Sequence, residues 1–484
     1  MTTTSTQPMN VPSAKKHARN PPWLGGLQDL SREHGFEPLR VQGALPAGLA
    51  GTLYRNGPGR FSVGGERYRH WFDGDGAISA VRIEEGRALG AARVVQTAGL
   101  EREQRAGKRL FGGYGTPMAR PFREIFLNDT KNPANTSVLL WQGRLFATCE
   151  ADRPYEMARD DLSTFGESLL DGVLVGPFSA HPHRVASRRA TYNFGVRLGR
   201  RSRVDVYALP DEGRARHLTS FPLDGLRFNH DFAVTENHLV FAFAPQYMSL
   251  LGVLMGGSPV GGAKWRPQLG TEIVVVPIDR PSAMRRFRVD AFMLEHVANA
   301  FEDGGDLLID YTHYASPDGL ERFAGSVLTG KIAGPLSCHL RRMRVSLGRD
   351  DLRSEVLLNR PVELPRVAPS VEARRHRYGY AVEFGTRGPD EPSGALIKHD
   401  LHTGRVDAYV PGDGRYAGEG VFVPRPDAGS EDDGWLLTMV YDAKADASAL
   451  EILDARSPGD GPVATCWFDH PIPLGFHGLW APRG

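Results

Sequence analysis

Apolar and polar positions along this chain of 484 residues follow each other in short alternating runs, not at helical spacing. Examples are GTLYRNG (51–57), VDVYALP (204–210), FAVTENHLVFAF (232–243), EIVVVPI (272–278), DLLIDYTHY (306–314), RYGYAVEFG (377–385) and GWLLTMVYD (434–442). Alternation of period two, rich in β-branched and aromatic residues, predicts strands. The short polar breaks WQGR (141–144), TENH (235–238) and HTGR (402–405) read as hairpin turns between paired runs. Three segments interrupt this rhythm, at 101–136, 244–270 and 315–336, and are expected to carry helices or irregular connections on one face. So many hairpins need an arrangement that removes sheet edges. A sandwich is rarely this large, whereas a propeller closes by radial repetition. No repeat of fixed period is visible, so pattern alone stops at an all-β fold. A polar, proline-bearing tail is expected over 1–22, followed by a single domain over 23–484.

Composition sharpens this picture. Gly 56 and Pro 35 are well above average usage and fit a turn-rich β chain. A formal net charge of +1 gives no reason to expect a polyanionic partner. Three cysteines, Cys149, Cys338 and Cys466, do not form a disulfide framework and fit a reducing, cytoplasmic setting. No apolar run approaches the ~18–20 residues that span a bilayer. The stretch from Gln246 to Met255 is apolar on nearly every side; it is either buried or lies in a membrane surface. Phe122, Ile125, Phe126 and Leu127 have helix-face spacing and extend such a patch if it exists. The arginine-rich spots 285–288, 341–344 and 374–377 read as solvated strand edges, and Asp73 and Asp75 as part of a glycine-rich turn.

Among the 16 histidines, His181, His230, His296 and His477 stand out, each in an apolar or aromatic context near a strand end. Taken singly, each fits a buried imidazole bonded to a carbonyl better than a metal ligand. Gaps of 49, 66 and 181 residues let them meet only if their strands converge on one axis. An all-imidazole site suits Fe, Zn, Cu or Ni, and metal-bound histidines commonly donate their second N–H to a carboxylate. Glu150, Glu363 and Glu419 lie in apolar strand contexts and are candidates for that partner; pairing with arginine is equally open on spacing alone.

An ordered series of motifs adds to this reading. It comprises LYRNGPGRF (53–61), HWFDGDGAISA (70–80), NPANTSV (132–138), RPYEM (153–157), SAHP (179–182), HDFAVTENHLVF (230–241), HVANAFEDGGDLLID (296–310), ELPRV (363–367), GEGVFVPRP (418–426), EDDGWLL (431–437) and FHG (476–478). Together they resemble the carotenoid cleavage oxygenase family from about residue 38 onward, and within it the bacterial apocarotenoid oxygenases. The resemblance implies a seven-bladed β-propeller with a helical and loop dome over one face. It implies Fe(II) on the axis, held by His181, His230, His296 and His477, with His183 the alternative to His181. Glu150, Glu363 and Glu419 match the family's outer carboxylates, and His181 is the ligand without one. Thr136 matches a residue that crowds an open coordination position.

The implied activity is oxidative cleavage of a conjugated C=C bond in an apolar polyene with O2, giving retinal-like aldehydes. Phe61, Phe72, Phe228, Phe301 and Trp480 are candidate tunnel aromatics, by proximity to the motifs. Stilbenoid-cleaving relatives carry a lysine before the first outer glutamate; Cys149 stands here, which weighs against a phenolate partner without removing that reading. A non-catalytic pigment-binding propeller is the remaining alternative. Peripheral membrane contact is expected through Met248, Leu250, Leu251, Val253 and Leu254.

Overall fold

Strands packed on both faces need not alternate, and several here are buried almost end to end. Thr271–Pro277 (TEIVVVP) is buried over all but its last residue, and Ala395–Asp400 along its whole length. Such strands belong to sheets stacked face to face, where neighbours cover both sides. The computed structural model describes residues 20–483 except 128, 151, 200, 256, 350, 387, 389, 390 and 393, and the side chain of Ile125 is also outside the described set. Most of the tail expected over 1–22 lies outside these residues.

Seven antiparallel sheets of four to six strands form a seven-bladed β-propeller. Closure of the ring is double. Gly478–Pro482 pairs with Gly51–Arg60 in the first blade, and Arg40–Gly43 pairs with Pro462–Trp467 in the last. Each end of the chain thus completes a sheet begun by the other, which removes two open edges. Apolar clusters fill the spaces between blades. One contains Phe194, Phe221, Phe232, Phe241 and Phe243, with Phe232 stacked on Phe241 at 5.3 Å between centroids. Such aromatic pairs add about 0.5–1.5 kcal/mol beyond the area they bury.

The segments that break the strand rhythm carry the helices. These are α1 (Ala98–Ala106), α2 (Pro121–Phe126), α3 (Leu250–Leu254) and α4 (Asp318–Val327). Thr97 caps α1 through the Leu100 N–H, and Gly107 ends it at φ 63°, where a side chain is disfavoured. No helix among the described residues is long and apolar enough to cross a membrane. The arginine-rich spots sit on strands and loops and are paired locally, as in Arg286–Glu272, Arg342–Asp310 and Arg375–Asp303, each at 2.6 Å. Asp75 differs from the expected turn: it opens a strand and is buried against Lys131 at 2.6 Å.

Candidate metal centre

Each blade places one end of its innermost strand near the propeller axis, and those strands carry the candidate residues. Thr136 precedes Ser137–Trp141, His181 lies two residues before His183–Val185, and His230 three before Ala233–Val234. His296 and Glu363 lie within Met293–Asp303 and Val362–Arg366; Glu419 falls between Arg415–Ala417 and Val421–Pro424; His477 precedes Gly478–Pro482. Seven strands converging on one axis explain how residues so far apart in sequence meet.

Local irregularities aim the side chains. Register shifts occur between Leu294 and Val297 and between Glu363 and Arg366, where two strands must turn a side chain inward. The first is held by Asp231, whose Oδ2 accepts the Val297 N–H at 2.7 Å. Leu364 adopts φ 54°, and its N–H bonds Glu363 Oε2 at 2.9 Å. At His477 the chain crosses Gly57 so closely that a Cβ there would lie 2.3 Å from Gly475 Cα. The Phe476 N–H bonds the Asn56 carbonyl at 2.9 Å, which fixes the entry to His477.

His181, His230, His296 and His477 present one ring nitrogen each, all within 4.8 Å of one another, a cluster able to hold a metal ion. Successive Nε2 atoms are 2.9, 3.1 and 3.2 Å apart along the order His181, His230, His296, His477. Behind three of the rings stands a carboxylate. Glu150 Oε1 lies 2.6 Å from His230 Nδ1, Glu363 Oε2 2.5 Å from His296 Nδ1, and Glu419 Oε1 2.9 Å from His477 Nδ1. Glu150 reaches His181 only at its inward Nε2, at 4.0 Å, so among the described residues His181 has no carboxylate behind it. His183 points away and bonds Asp231 at 2.7 Å. Thr136 lies at the cavity wall with its hydroxyl bonded to Asn135 Oδ1 (3.1 Å) and Glu150 Oε2 (3.4 Å).

Electrostatics at the cluster call for a cation. Burial lowers the basicity of His181 well below normal, and the neighbouring imidazoles His230 and His477 lower it further. Burial opposes protonation of His230 too, but Glu295 and Glu150 outweigh it and push that ring up to about 10. Burial brings His477 down to about 4 despite Glu419. Four rings this close cannot all be protonated. With Nδ1–H held on carboxylates, the Nε2 lone pairs are left facing one another. A divalent ion resolves both problems, and four neutral imidazoles suit Fe, Zn, Cu or Ni. Beyond the rings, Glu419 is tied down by Arg366 Nε at 2.8 Å and by the Gly478 N–H at 2.9 Å.

The cluster opens into a cavity of about 1960 Å³. Phe72 and Phe228 line it as expected. Three other expected aromatics do not. Phe61 is fully buried in a core with Trp23 and Leu27, Phe301 packs against His376 and beneath Arg342, and Trp480 packs between the first and last blades. Their motifs border the axis, but these side chains face into the spaces between blades. Trp71, Tyr114, Phe323, Phe384 and Phe476 add to this aromatic wall, together with Phe126 and Phe194. Phe476 and Trp71 were within reach of the FHG and HWF motifs; Tyr114 and Phe323 come from the roofing segments, where no periodicity points inward. The expected membrane patch is also partly corrected. Leu250, Leu251 and Met255 are exposed, whereas Val253 is buried at 5% exposure and Met248 turns into the cavity wall. On the short helix α3 only one side can face outward. Phe122, Phe126 and Leu127 are exposed beside it.

Two polar features of the cavity escaped the sequence reading. Tyr114 Oη donates to Glu321 Oε1 at 2.6 Å, and burial pushes that carboxyl up to about 7. Glu295, next to His296, lines the cavity and is also shifted upward by burial. Cys149 Sγ lies 3.8 Å from Glu150 Oε2.

A family profile described as retinal pigment epithelial membrane protein matches residues 27–482. Apocarotenoid-15,15'-oxygenase of Synechocystis sp. is 31% identical over 98% of this chain and 99% of that protein. Isoeugenol monooxygenase of Pseudomonas nitroreducens is 30% identical over 97% of this chain and 100% of that protein. The crystal structure of cobalt-substituted Synechocystis apocarotenoid oxygenase superposes with a TM-score of 0.87 at 30% identity, covering 96% of this chain and 98% of that one. With the ring of blades, the imidazole cluster and these full-length likenesses in agreement, the chain belongs to the retinal pigment epithelial membrane protein family, the carotenoid cleavage oxygenases.

Proposed function

We propose that this protein is an Fe(II)-dependent oxygenase that cleaves a conjugated C=C bond of an apocarotenoid and releases retinal-like aldehydes. The observation that carries the reading is the four-imidazole cluster, backed by three carboxylates, at the inner end of a large aromatic-walled cavity. Fe(II) held by His181, His230, His296 and His477 would supply the O2 activation that no side chain here provides. Glu150, Glu363 and Glu419 fix the ring orientations and offset the charge of a dication. Phe72, Phe228 and Phe476 offer ring faces along which a polyene lies, and the apolar wall keeps water from it. Thr136, at the wall beside Glu150, narrows the space at the cluster. The likeness to the Synechocystis oxygenase supports an apocarotenoid over a full-length carotenoid.

Delivery of so apolar a substrate is assigned to the exposed residues of α2 and α3. Phe122, Phe126, Leu127, Leu250, Leu251 and Met255 stand out from the surface next to cavity-lining Met248 and Val253, a surface suited to peripheral contact with a bilayer. The test of the proposal is loss of β-apocarotenal absorbance by iron-loaded protein in air, with mass spectrometry of the products. No bleaching of any apocarotenal, with iron bound at one per chain, would reject it.

A second reading, cleavage of a phenylpropene or stilbenoid, is favoured by cavity-lining Tyr114 and the Glu321 carboxyl that pairs with its hydroxyl. Such a pair hydrogen-bonds a phenol, and the isoeugenol monooxygenase likeness supports it. Turnover of isoeugenol or a hydroxystilbene, lost in Tyr114→Phe and without action on apocarotenals, would favour this reading.

A further inference from the structure

Asp231 follows His230 and is buried, yet it is not one of the carboxylates behind the rings. Its two oxygens serve three strands. Oδ2 accepts the N–H of Val297, the residue after His296, at 2.7 Å. Oδ1 accepts from Nε2 of His183, two residues after His181, at 2.7 Å, and from the Phe232 N–H at 2.7 Å. The strands concerned, His183–Val185, Ala233–Val234 and Met293–Asp303, belong to three successive sheets. No ladder joins one of these sheets to the next, so their relative placement rests on side-chain packing and on links such as these. Ser179 adds a second link: the His181 N–H bonds its hydroxyl at 3.1 Å, and that hydroxyl donates to the His230 carbonyl at 3.1 Å. Main chain at or beside His181, His230 and His296 is thereby held by directed bonds, and a metal site tolerates misplacement of only about 0.5 Å.

We propose that Asp231 is a positioning residue for the metal: braced by His183, it sets the spacing of His181, His230 and His296 before the ion arrives. The inference rests on the metal reading of the four imidazoles and leaves their number and identity unchanged. Asparagine cannot replace this carboxylate. An amide has one accepting oxygen, so either orientation turns its NH2 toward an N–H donor, that of Val297 on one side or that of Phe232 on the other. With the Val297 N–H released, His296 loses its fixed distance from His230.

The test uses Co(II) as the probe, because its visible absorption reports coordination geometry, with affinity read by competition with a chelator. Wild type should bind one Co(II) per chain. Asp231→Asn should bind it about ten-fold more weakly, with shifted d–d bands. His183 has 28% of its side chain exposed, so truncation there is tolerated by the fold. His183→Ala should still take up one Co(II), with bands shifted in the same sense. His183→Gln, whose amide can donate to Asp231, should restore the wild-type bands. Glu302→Gln controls for stability alone, since Glu302 links the same Met293–Asp303 strand to Thr235, Asn237 and His238 at the outer turn. It should lower the melting temperature and leave the Co(II) spectrum unchanged. Wild-type bands in Asp231→Asn or in His183→Ala would overturn the proposal, as would an equal spectral change in Glu302→Gln. Failure of wild type itself to take up Co(II) would remove the metal reading and this inference with it, whereas unchanged variants of a metal-binding wild type remove this inference alone.

Discussion

Replacing Glu363 by Gln isolates the charge of one outer carboxylate. Three donors converge on it: His296 Nδ1 at 2.5 Å, Tyr314 Oη at 2.7 Å and the Leu364 N–H at 2.9 Å. The first and third share Oε2, so an amide oxygen placed there keeps both. The amide NH2 then faces Tyr314, whose hydroxyl turns to accept. Shape and hydrogen bonding survive, and only the negative charge goes. At an effective dielectric of about 20, unit charges roughly 6 Å apart, about one imidazole ring between carboxylate and ion, interact by about 3 kcal/mol. The neutral amide avoids part of the desolvation cost of a buried carboxylate, which offsets some of that loss. The expected result is a metal affinity about 10–100-fold weaker, about 1.4–2.8 kcal/mol. Chelator competition with Co(II) or Zn(II) measures it. A dissociation constant within two-fold of wild type would refute the view that this carboxylate acts through its charge.

His181→Ala should abolish stoichiometric metal uptake while His183→Ala retains it, because only His181 joins the cluster and His183 is turned to Asp231; metal analysis after loading and desalting decides between them. Glu302 gives a pH prediction: burial raises its carboxyl, but bonds from Thr235, Asn237 and His238 outweigh that and hold it down at about 2. A depressed carboxyl contributes stability above its unfolded value, ~4.3, that is lost as pH falls toward the folded one. Melting curves of wild type should therefore steepen in their pH dependence between about 4.5 and 2, and those of Glu302→Gln should be flatter over that window. Leu251→Asp, at an exposed position of α3, should reduce co-flotation with liposomes without changing bleaching of a detergent-solubilised apocarotenal; equal flotation of both proteins would remove the membrane patch.

Much of the site was legible because chemistry-bearing residues sit in short motifs. His181 before Pro182, Glu363 in ELPRV and His477 in FHG each stand where an inner strand begins or breaks, and a local motif preserves that placement. The tunnel aromatics were less legible. Phe301 and Trp480 lie within matching motifs yet face between blades, because which side of a strand meets the cavity depends on register and bulges. Val253 shows the same limit on a helix: an all-apolar stretch has no periodicity to separate its buried side from its exposed one.

The amino-acid order by itself determined that this chain is built of short strands and turns, and which imidazoles and carboxylates are available, since strand pairing and donor chemistry are local properties of residues. Tertiary structure decided the rest. Closure of the ring brings together nitrogens from residues as far apart in sequence as His181 and His477, and register irregularities at Leu294–Val297 and Glu363–Arg366 turn side chains toward the axis. Pairing of the two chain ends sets His477 beside His181 in the cluster, with ring centroids 4.6 Å apart. No local pattern encodes that convergence, because it arises only when all seven sheets pack around one axis.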